Sequence, residues 1–483
     1  MPNPERIALK GGPSIPRVLH GLWQVADIEK DGTTIDPERG ADALEAYLGE
    51  GFDGFDMADH YGSAEIIAGR LLARGKGGIA LTKWCPAPGP MTPEVVRTGV
   101  RERLDRLGVG RLDLLQLHWW SFEHPAWLDA LHELNRLREE GLIGAVGVTN
   151  FDTAHLAVAL ADGIPLASNQ VSFSLVDRRA AGAMSDFCTH TGVRLLAYGT
   201  LCGGFLSERW LGAADPGELP DWSRAKYRRF IDAAGGWEAF QGILAAAAEV
   251  ARRHGASLSN VATRWVLDHP AVGAVIVGAR LTESEHRADT RRLFSFALDA
   301  EDRERLAAAF AATTPIPGDC GDEYRRPPFL TASGDLSHHL DAIASALTVT
   351  PVPGRPGRLR AASGSVWEPV AGYSRAVRVG DRISVAGTTA THGGSRCVAP
   401  GNPGAQTTYI LDRIAAALTA LGGSLDDVVR TRVYVRDAHR WEAVARAHGR
   451  VFGDILPANT LVEISNLVGD YEVEIEAEAI VGD

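Results

Sequence analysis

Short apolar runs alternate with amphipathic stretches eight times between residues 18 and 312, and no other feature limits so strongly what this chain can fold into. The strand candidates lie at 18–23, 54–58, 78–83, 112–117, 145–148, 166–171, 194–198 and 274–277. Helical patterns run between them, among them 41–51, 94–108 and 124–141. In the last, Trp127, Leu128, Leu131, Leu134 and Leu137 share one face. Gly or Asn commonly follows the helices and Asp, Ser or Thr precedes them, as capping requires. Eight strand-then-helix units predict an α/β fold, a (β/α)8 TIM barrel. An open doubly wound sheet would usually carry a Gly-rich first turn. Neither GKGG at 75–78 nor GGFL at 203–206 has that form or place, and both read as turns.

At 483 residues the chain exceeds one ordinary domain, and 45% hydrophobic residues supply material for two cores. The pattern changes near Pro315. A punctuated stretch at 315–334, a short helix at 336–347 and a linker at 350–358 lead to alternating strands at 373–379, 381–388, 428–435, 459–466 and 471–481. Helical patterns at 405–423 and 439–453 interrupt these strands, which predicts a smaller α+β domain. The expected division is 1–330 for the barrel, 331–357 for the connecting helix and linker, and 358–483 for the second domain. Within the barrel, residues 202–235 lack a clean period. They read as an inserted loop over the C-terminal face, either a lid or a passive excursion.

A formal charge of −12 disfavours nucleic acid or an anionic membrane as partner. Five scattered cysteines make no CxxC or other metal-ligand spacing, so neither a disulfide framework nor a metal site is expected. The N-terminal residues have no apolar stretch of the signal-peptide kind, and no run approaches a membrane span. A cytoplasmic protein is the expectation.

Chemistry concentrates where predicted strands end, which in a TIM barrel is the face that carries the active site. Asp56 and Tyr61 follow the second strand, Lys83 ends the third and His118 ends the fourth. A free tyrosine, with a pKa of about 10, is a poor acid or base near neutrality. A lysine ammonium beside it stabilises the phenolate, and a carboxylate behind the lysine holds that cation in place. A histidine alongside can orient a substrate oxygen. The set suits giving a proton to a carbonyl oxygen while a hydride reaches its carbon. Trp84 and Trp120 follow these positions and read either as walls of a substrate pocket or as packing between barrel and loop.

The strings FDMADHYGSAE (55–65), LTK (81–83), DLLQLHW (113–119), GVTNF (147–151), SNQVSFS (168–174), LAYGTLCGGFL (196–206) and VIVGARLTESEHRAD (275–289) make residues 15–312 resemble an aldo-keto reductase. The resemblance implies an NADPH-dependent carbonyl reductase without metal, with Tyr61 as acid/base supported by Asp56, Lys83 and His118. It implies that Thr149 and Asn150 flank the nicotinamide carboxamide, that Gln170 is its other partner and that Tyr198 stacks on the ring. Trp23 joins this cofactor-binding set, and Gly278 and Arg280 match the loop near the adenosine phosphate. Thr290 departs from the family, which usually has asparagine there.

Beyond the linker, GYSRAVRVGDRISVAGTTA (372–390), AQTTYILDRIAAAL (405–418), DVVRTRVYVRD (427–437) and PANTLVEISNL (457–467) resemble the Rid/YjgF family, with its chorismate-mutase-like fold. That resemblance implies a trimer with sites between subunits and, in many members, hydrolysis of imines or enamines. Tyr373 and Glu474 match site positions, whereas Asn459 stands where a carboxylate-binding arginine is usual. Arg430, Arg432 and Arg436 on one predicted strand form either a solvated basic face or a replacement cation. The expectation is a reductase acting on an aldehyde or ketone, its second domain serving oligomerisation or binding. The alternatives are a two-site enzyme that couples imine handling to reduction, and a catalytically silent NADPH sensor.

Overall fold

Each of the eight apolar runs forms a strand, and the strands close into a parallel barrel. They are β1 (Val18–Gly21), β2 (Gly54–Asp56), β3 (Ile79–Trp84), β4 (Leu112–His118), β5 (Ile143–Thr149), β6 (Leu166–Ser172), β7 (Arg194–Tyr198) and β8 (Val272–Gly278), with β8 pairing back onto β1. The computed structural model describes residues 4–281, 286–325, 330–331, 336, 339 and 343–482.

Side-chain alternation along each strand divides the apolar residues between two cores. Leu19, Leu81, Leu114, Ala145, Ala167, Leu196 and Ala274 fill the barrel, and Leu9 and Ile15 from an N-terminal hairpin (Arg6–Ala8 with Ser14–Pro16) pack into the same cluster. The opposite faces pack on the surrounding helices. These begin at polar caps: Thr92 accepts from the Val95 amide ahead of Pro93–Leu107, and Asp152 accepts from the His155 amide in Thr153–Ala161.

The second domain is a seven-stranded sheet of β9 (Thr348–Pro351), β10 (Arg358–Ala362), β11 (Ala376–Val379), β12 (Arg382–Thr389), β13 (Val428–Val435), β14 (Ala458–Glu463) and β15 (Val473–Ile480). Its order is β9-β10-β11-β12-β15-β13-β14, antiparallel except for β13 against β14. Val473, Ile475, Ala477 and Ala479 of β15 are buried in the core that helix Pro403–Ala420 also enters, while the alternate Glu474, Glu476 and Glu478 are only partly buried. The stretch 350–358, expected to be a linker, instead forms most of the β9–β10 hairpin and extends the sheet by two strands, with β9 at the edge. Edge strands tolerate Pro351, whose missing N–H needs no ladder partner. Of the helix expected at 336–347, residues 343–347 are not helical, while 337–338 and 340–342 lie outside the described residues.

The domains meet along helices. Pro403–Ala420 packs on Thr153–Ala161, and His155 Nε2 lies 2.9 Å from Asp412. Arg413 donates to the carbonyl of Phe122 at 3.2 Å. His392 pairs with Asp129 and Arg396 with Asp162, both at 2.7 Å. No helix among the described residues is long and apolar enough to cross a membrane.

Candidate active site

Strand ends of the barrel deliver Asp56, Lys83 and His118 into one buried cluster. Lys83 Nζ donates to Asp56 at 2.7 Å with both side chains at most 4% exposed, so the charge pair is almost wholly removed from water. Gln170 donates to the other carboxylate oxygen, also at 2.7 Å. Lys83 Nζ stands 4.9 Å from the centroid of the Tyr61 ring. An ammonium at that range stabilises negative charge developing on the phenol.

His118 is buried, and its Nε2 finds no partner among the described residues. Burial, reinforced by Arg325, His60, Lys226 and Lys83, holds it well below the ordinary histidine range. A neutral imidazole keeps one N–H donor and one acceptor nitrogen. The hydroxyl of Thr149 is likewise buried without a partner among the described residues. Such orphaned polar atoms are costly unless a ligand completes them.

A cavity of about 530 Å³ runs from Tyr61 and His118 to Arg280 and Thr290. Its walls include all eleven residues assigned to catalysis or cofactor: Asp56, Tyr61, Lys83 and His118, then Trp23, Thr149, Asn150, Gln170, Tyr198, Gly278 and Arg280. Tyr198 donates to the Asn150 side chain at 3.0 Å. Asn150 itself has φ +57°. At the far end Arg280 lies 3.4 Å from Asp221, while the Thr290 hydroxyl donates back to the His286 carbonyl at 2.9 Å.

Two expected pocket walls lie elsewhere. Trp84 follows Lys83 on β3, so alternation turns it outward, where its ring fills the space a Cβ at Gly99 would need. Trp120 is fully buried, its ring centroid 4.2 Å from that of His118, and it does not line the cavity.

Residues the sequence did not flag complete the wall. Segment 202–235 is built of short turns and helix Trp222–Ala233, and it brings Lys226 and Tyr227 to the cavity. Lys226 donates to Tyr324 at 2.8 Å, and the Tyr324 ring stands 5.0 Å from His118. Tyr324 comes from the punctuated stretch after the barrel. Gly321 in that stretch, at φ +88°, lies so close that a Cβ would collide with the Asn150 carbonyl oxygen.

The sequence model of the "Aldo/keto reductase family" matches residues 17–310. The chain belongs to that family. This aldo/keto reductase is 28% identical over 246 residues to chloroplastic pyridoxal reductase of Arabidopsis thaliana, covering 47% of this chain and 65% of that protein. The chain thus spans less than two thirds of that relative's length. Among solved structures it matches the glycerol dehydrogenase AKR11B4 of Gluconobacter oxydans at 25% identity and TM-score 0.55, over 65% of this chain and 97% of that one. The model described as "Endoribonuclease L-PSP" matches residues 364–481 and marks the second domain as Rid/YjgF-like. A YjgF/YER057c/UK114-family structure, Rv2704 of Mycobacterium tuberculosis, is 45% identical over 26% of this chain and 99% of its own, with TM-score 0.24.

In that second domain the three matched positions do not converge within one chain. Arg375 donates to the Tyr373 hydroxyl at 3.1 Å and to the Gly387 carbonyl at 2.7 Å. Glu474 reaches the same corner, where a Cβ on Gly387 would collide with its carboxylate. Asn459 pairs with His448 at 3.1 Å on β14, separated from β12 by β15 and β13. Arg432 is matched by Glu476 and, at 3.2 Å, by Glu478.

Proposed function

We propose that this aldo/keto reductase is an NADPH-dependent enzyme that reduces an aldehyde or ketone to an alcohol, with Tyr61 as proton donor. One observation carries the reading: the buried Asp56–Lys83 pair lies behind Tyr61, with the orphaned Nε2 of His118 in the same cavity. His118 would hold the carbonyl oxygen by a hydrogen bond and orient it toward the Tyr61 hydroxyl. Lys83, steadied by Asp56, would stabilise the phenolate left after the proton moves.

Thr149, Asn150 and Gln170 would hold the nicotinamide carboxamide, Tyr198 and Trp23 would bound the ring, and Gly278 and Arg280 would meet the adenosine phosphate. The orphaned Thr149 hydroxyl and the length of the cavity fit such a group. When bound it supplies the hydride. The Arg280 guanidinium supports a 2′-phosphate.

The Rid/YjgF-like domain is assigned to oligomerisation, as a trimer, or to binding. The sheet face opposite helix Pro403–Ala420, where Glu474, Glu476 and Glu478 are only partly buried, supports this role. Asn459, an uncharged residue where a carboxylate-binding arginine is usual, weighs against a second imine-processing site, and the complete Asp56–Tyr61–Lys83–His118 set weighs against a silent sensor. Five free cysteines support a reducing, cytoplasmic setting.

The deciding experiment is NADPH oxidation with a panel of aldehydes, ketones and cyclic imines, with cofactor binding followed by fluorescence. Tyr61→Phe should bind NADPH like the wild type and lose turnover. Wild-type turnover in that variant would overturn the assignment.

A further inference from the structure

Three donors of differing softness stand beside the proton-transfer groups. Asp59 and His60 follow β2, and Cys85 follows β3. A carboxylate oxygen, an imidazole nitrogen and the thiol sulfur of these residues all lie within 4.8 Å of one another. Asp59 Oδ1 is 2.9 Å from His60 Nδ1, and Asp59 Oδ2 accepts from the Cys85 amide at 2.8 Å, which fixes the two loops against each other. Arg103 flanks the same carboxylate at 3.8 Å. On its other side, Cys85 Sγ faces His118 Nδ1 at 3.9 Å. His118 is 5% exposed with an unpartnered Nε2, and His60, Cys85 and His118 all border the cavity. Ligand atoms at tetrahedral zinc distances of about 2.0–2.3 Å stand roughly 3.3–3.8 Å apart. The spacings here fall on both sides of that range.

We propose that Asp59, His60 and Cys85, with His118 Nδ1 as the fourth donor, form a binding site for a borderline-soft divalent cation of the zinc type, and that its occupancy blocks the reductase site. A thiol with two imidazoles selects such an ion over magnesium or calcium, which take oxygen ligands. On binding, the Cys85 S–H bond breaks, its proton passes to solvent and a metal–sulfur bond forms. His60 coordinates through Nδ1 with its proton moved to Nε2, so the cation takes the place of the hydrogen bond between His60 and Asp59. Nothing is oxidised or reduced. His118, drawn to the cation through Nδ1, can no longer orient a carbonyl oxygen toward Tyr61. Binding stands apart from the reductase reading, and only the blocking effect rests on it.

Cobalt(II) is the probe, titrated into the full-length protein. The expected result is a near-ultraviolet thiolate-to-cobalt charge-transfer band saturating at one ion per chain and reversed by zinc. It should vanish in Cys85→Ser, and His60→Ala should weaken binding by about tenfold or more. With a carbonyl substrate, micromolar Zn²⁺ should inhibit turnover and EDTA should restore it. Cys85→Ser should keep its metal-free turnover and lose the inhibition. Absence of the band, or a band that survives in Cys85→Ser, would overturn the site. If no substrate is turned over the reductase reading fails, and the cobalt titration still decides the site.

Discussion

Arg325 donates to the main-chain carbonyl of Asn150 at 2.5 Å. Its second terminal nitrogen reaches the carbonyl of Trp119 at 2.6 Å. One guanidinium therefore ties together the loops that follow β4 and β5, next to His118 and Thr149.

Asn150 occupies the left-handed region, which costs a non-glycine residue of order 1 kcal/mol or more unless neighbours hold it there. The planar fork of Arg325 spans two carbonyls, and a lysine offers one point charge instead. Arg325→Lys should raise the KM for NADPH about tenfold while kcat changes less, in keeping with the loss of one charged hydrogen bond. Steady-state kinetics with varied NADPH is the measurement. An unaltered KM would mean that the loop holds its own shape.

The Asp56–Lys83 pair makes a prediction about stability. Removing one member of a buried pair leaves an uncompensated charge, at about 3–5 kcal/mol. Lys83→Met should lower unfolding free energy by that order and abolish reduction. Asp56→Asn combined with Lys83→Met should recover much of the stability and none of the turnover. Denaturant unfolding of the three proteins checks this.

Acid should weaken the barrel through two histidines. His20 lies between the rings of Tyr47 and Phe52, and neither nitrogen has a partner among the described residues. Burial, then Arg287, lowers it to about 3. His118 is also held well below the ordinary range, by burial first. Above pH of about 6.5 both groups are neutral in folded and unfolded chains and contribute nothing. Below that pH only the unfolded chain takes up these protons. Each histidine should remove about 1.4 kcal/mol per pH unit as pH falls, continuing to about 3 for His20. His20→Phe should reduce the slope measured between pH 7.5 and 5, and an identical slope would contradict the assignment.

At the domain junction the sign reverses. His155 is stacked on Phe122 at 3.4 Å, with Asp152 on Nδ1 and Asp412 on Nε2, while Arg450 approaches Asp152 at 3.5 Å. Burial opposes the imidazolium, but Asp152 and Asp412 outweigh it, so His155 lies above the ordinary range. Its contribution is complete below the unfolded value of about 6.5 and is lost as pH rises through the folded one. Asp412→Asn should therefore lower Tm more at pH 6 than at pH 9. Equal losses at the two pH values would show a neutral imidazole.

The eight barrel strands were legible because each is an apolar run bounded by turns, and the strand ends carried distinctive side chains in Asp56, Lys83 and His118. Trp84 was misplaced although the signal was present, since a residue after inward-pointing Lys83 must face out. The contacts of Arg325 were not legible. They end on the carbonyls of Asn150 and Trp119, and a main-chain oxygen leaves no mark in residue type. Gly321 and Tyr324 were hidden in the same way, inside a stretch whose glycines and prolines read as punctuation. The β9–β10 hairpin was lost because Pro351 and Gly354 resemble linker chemistry until an adjoining sheet edge is known. The metal-type cluster escaped because Cys85 lies far in sequence from His60.

Residues 311–363 fall between the two family matches, yet Tyr324 of that interval lines the cavity and Arg325 holds the loops after β4 and β5. A gene fusion or domain exchange cut at the family boundaries would thus separate the barrel from part of its own site. A cut placed after Arg325 would instead keep Tyr324 and Arg325 with the strand ends they adjoin.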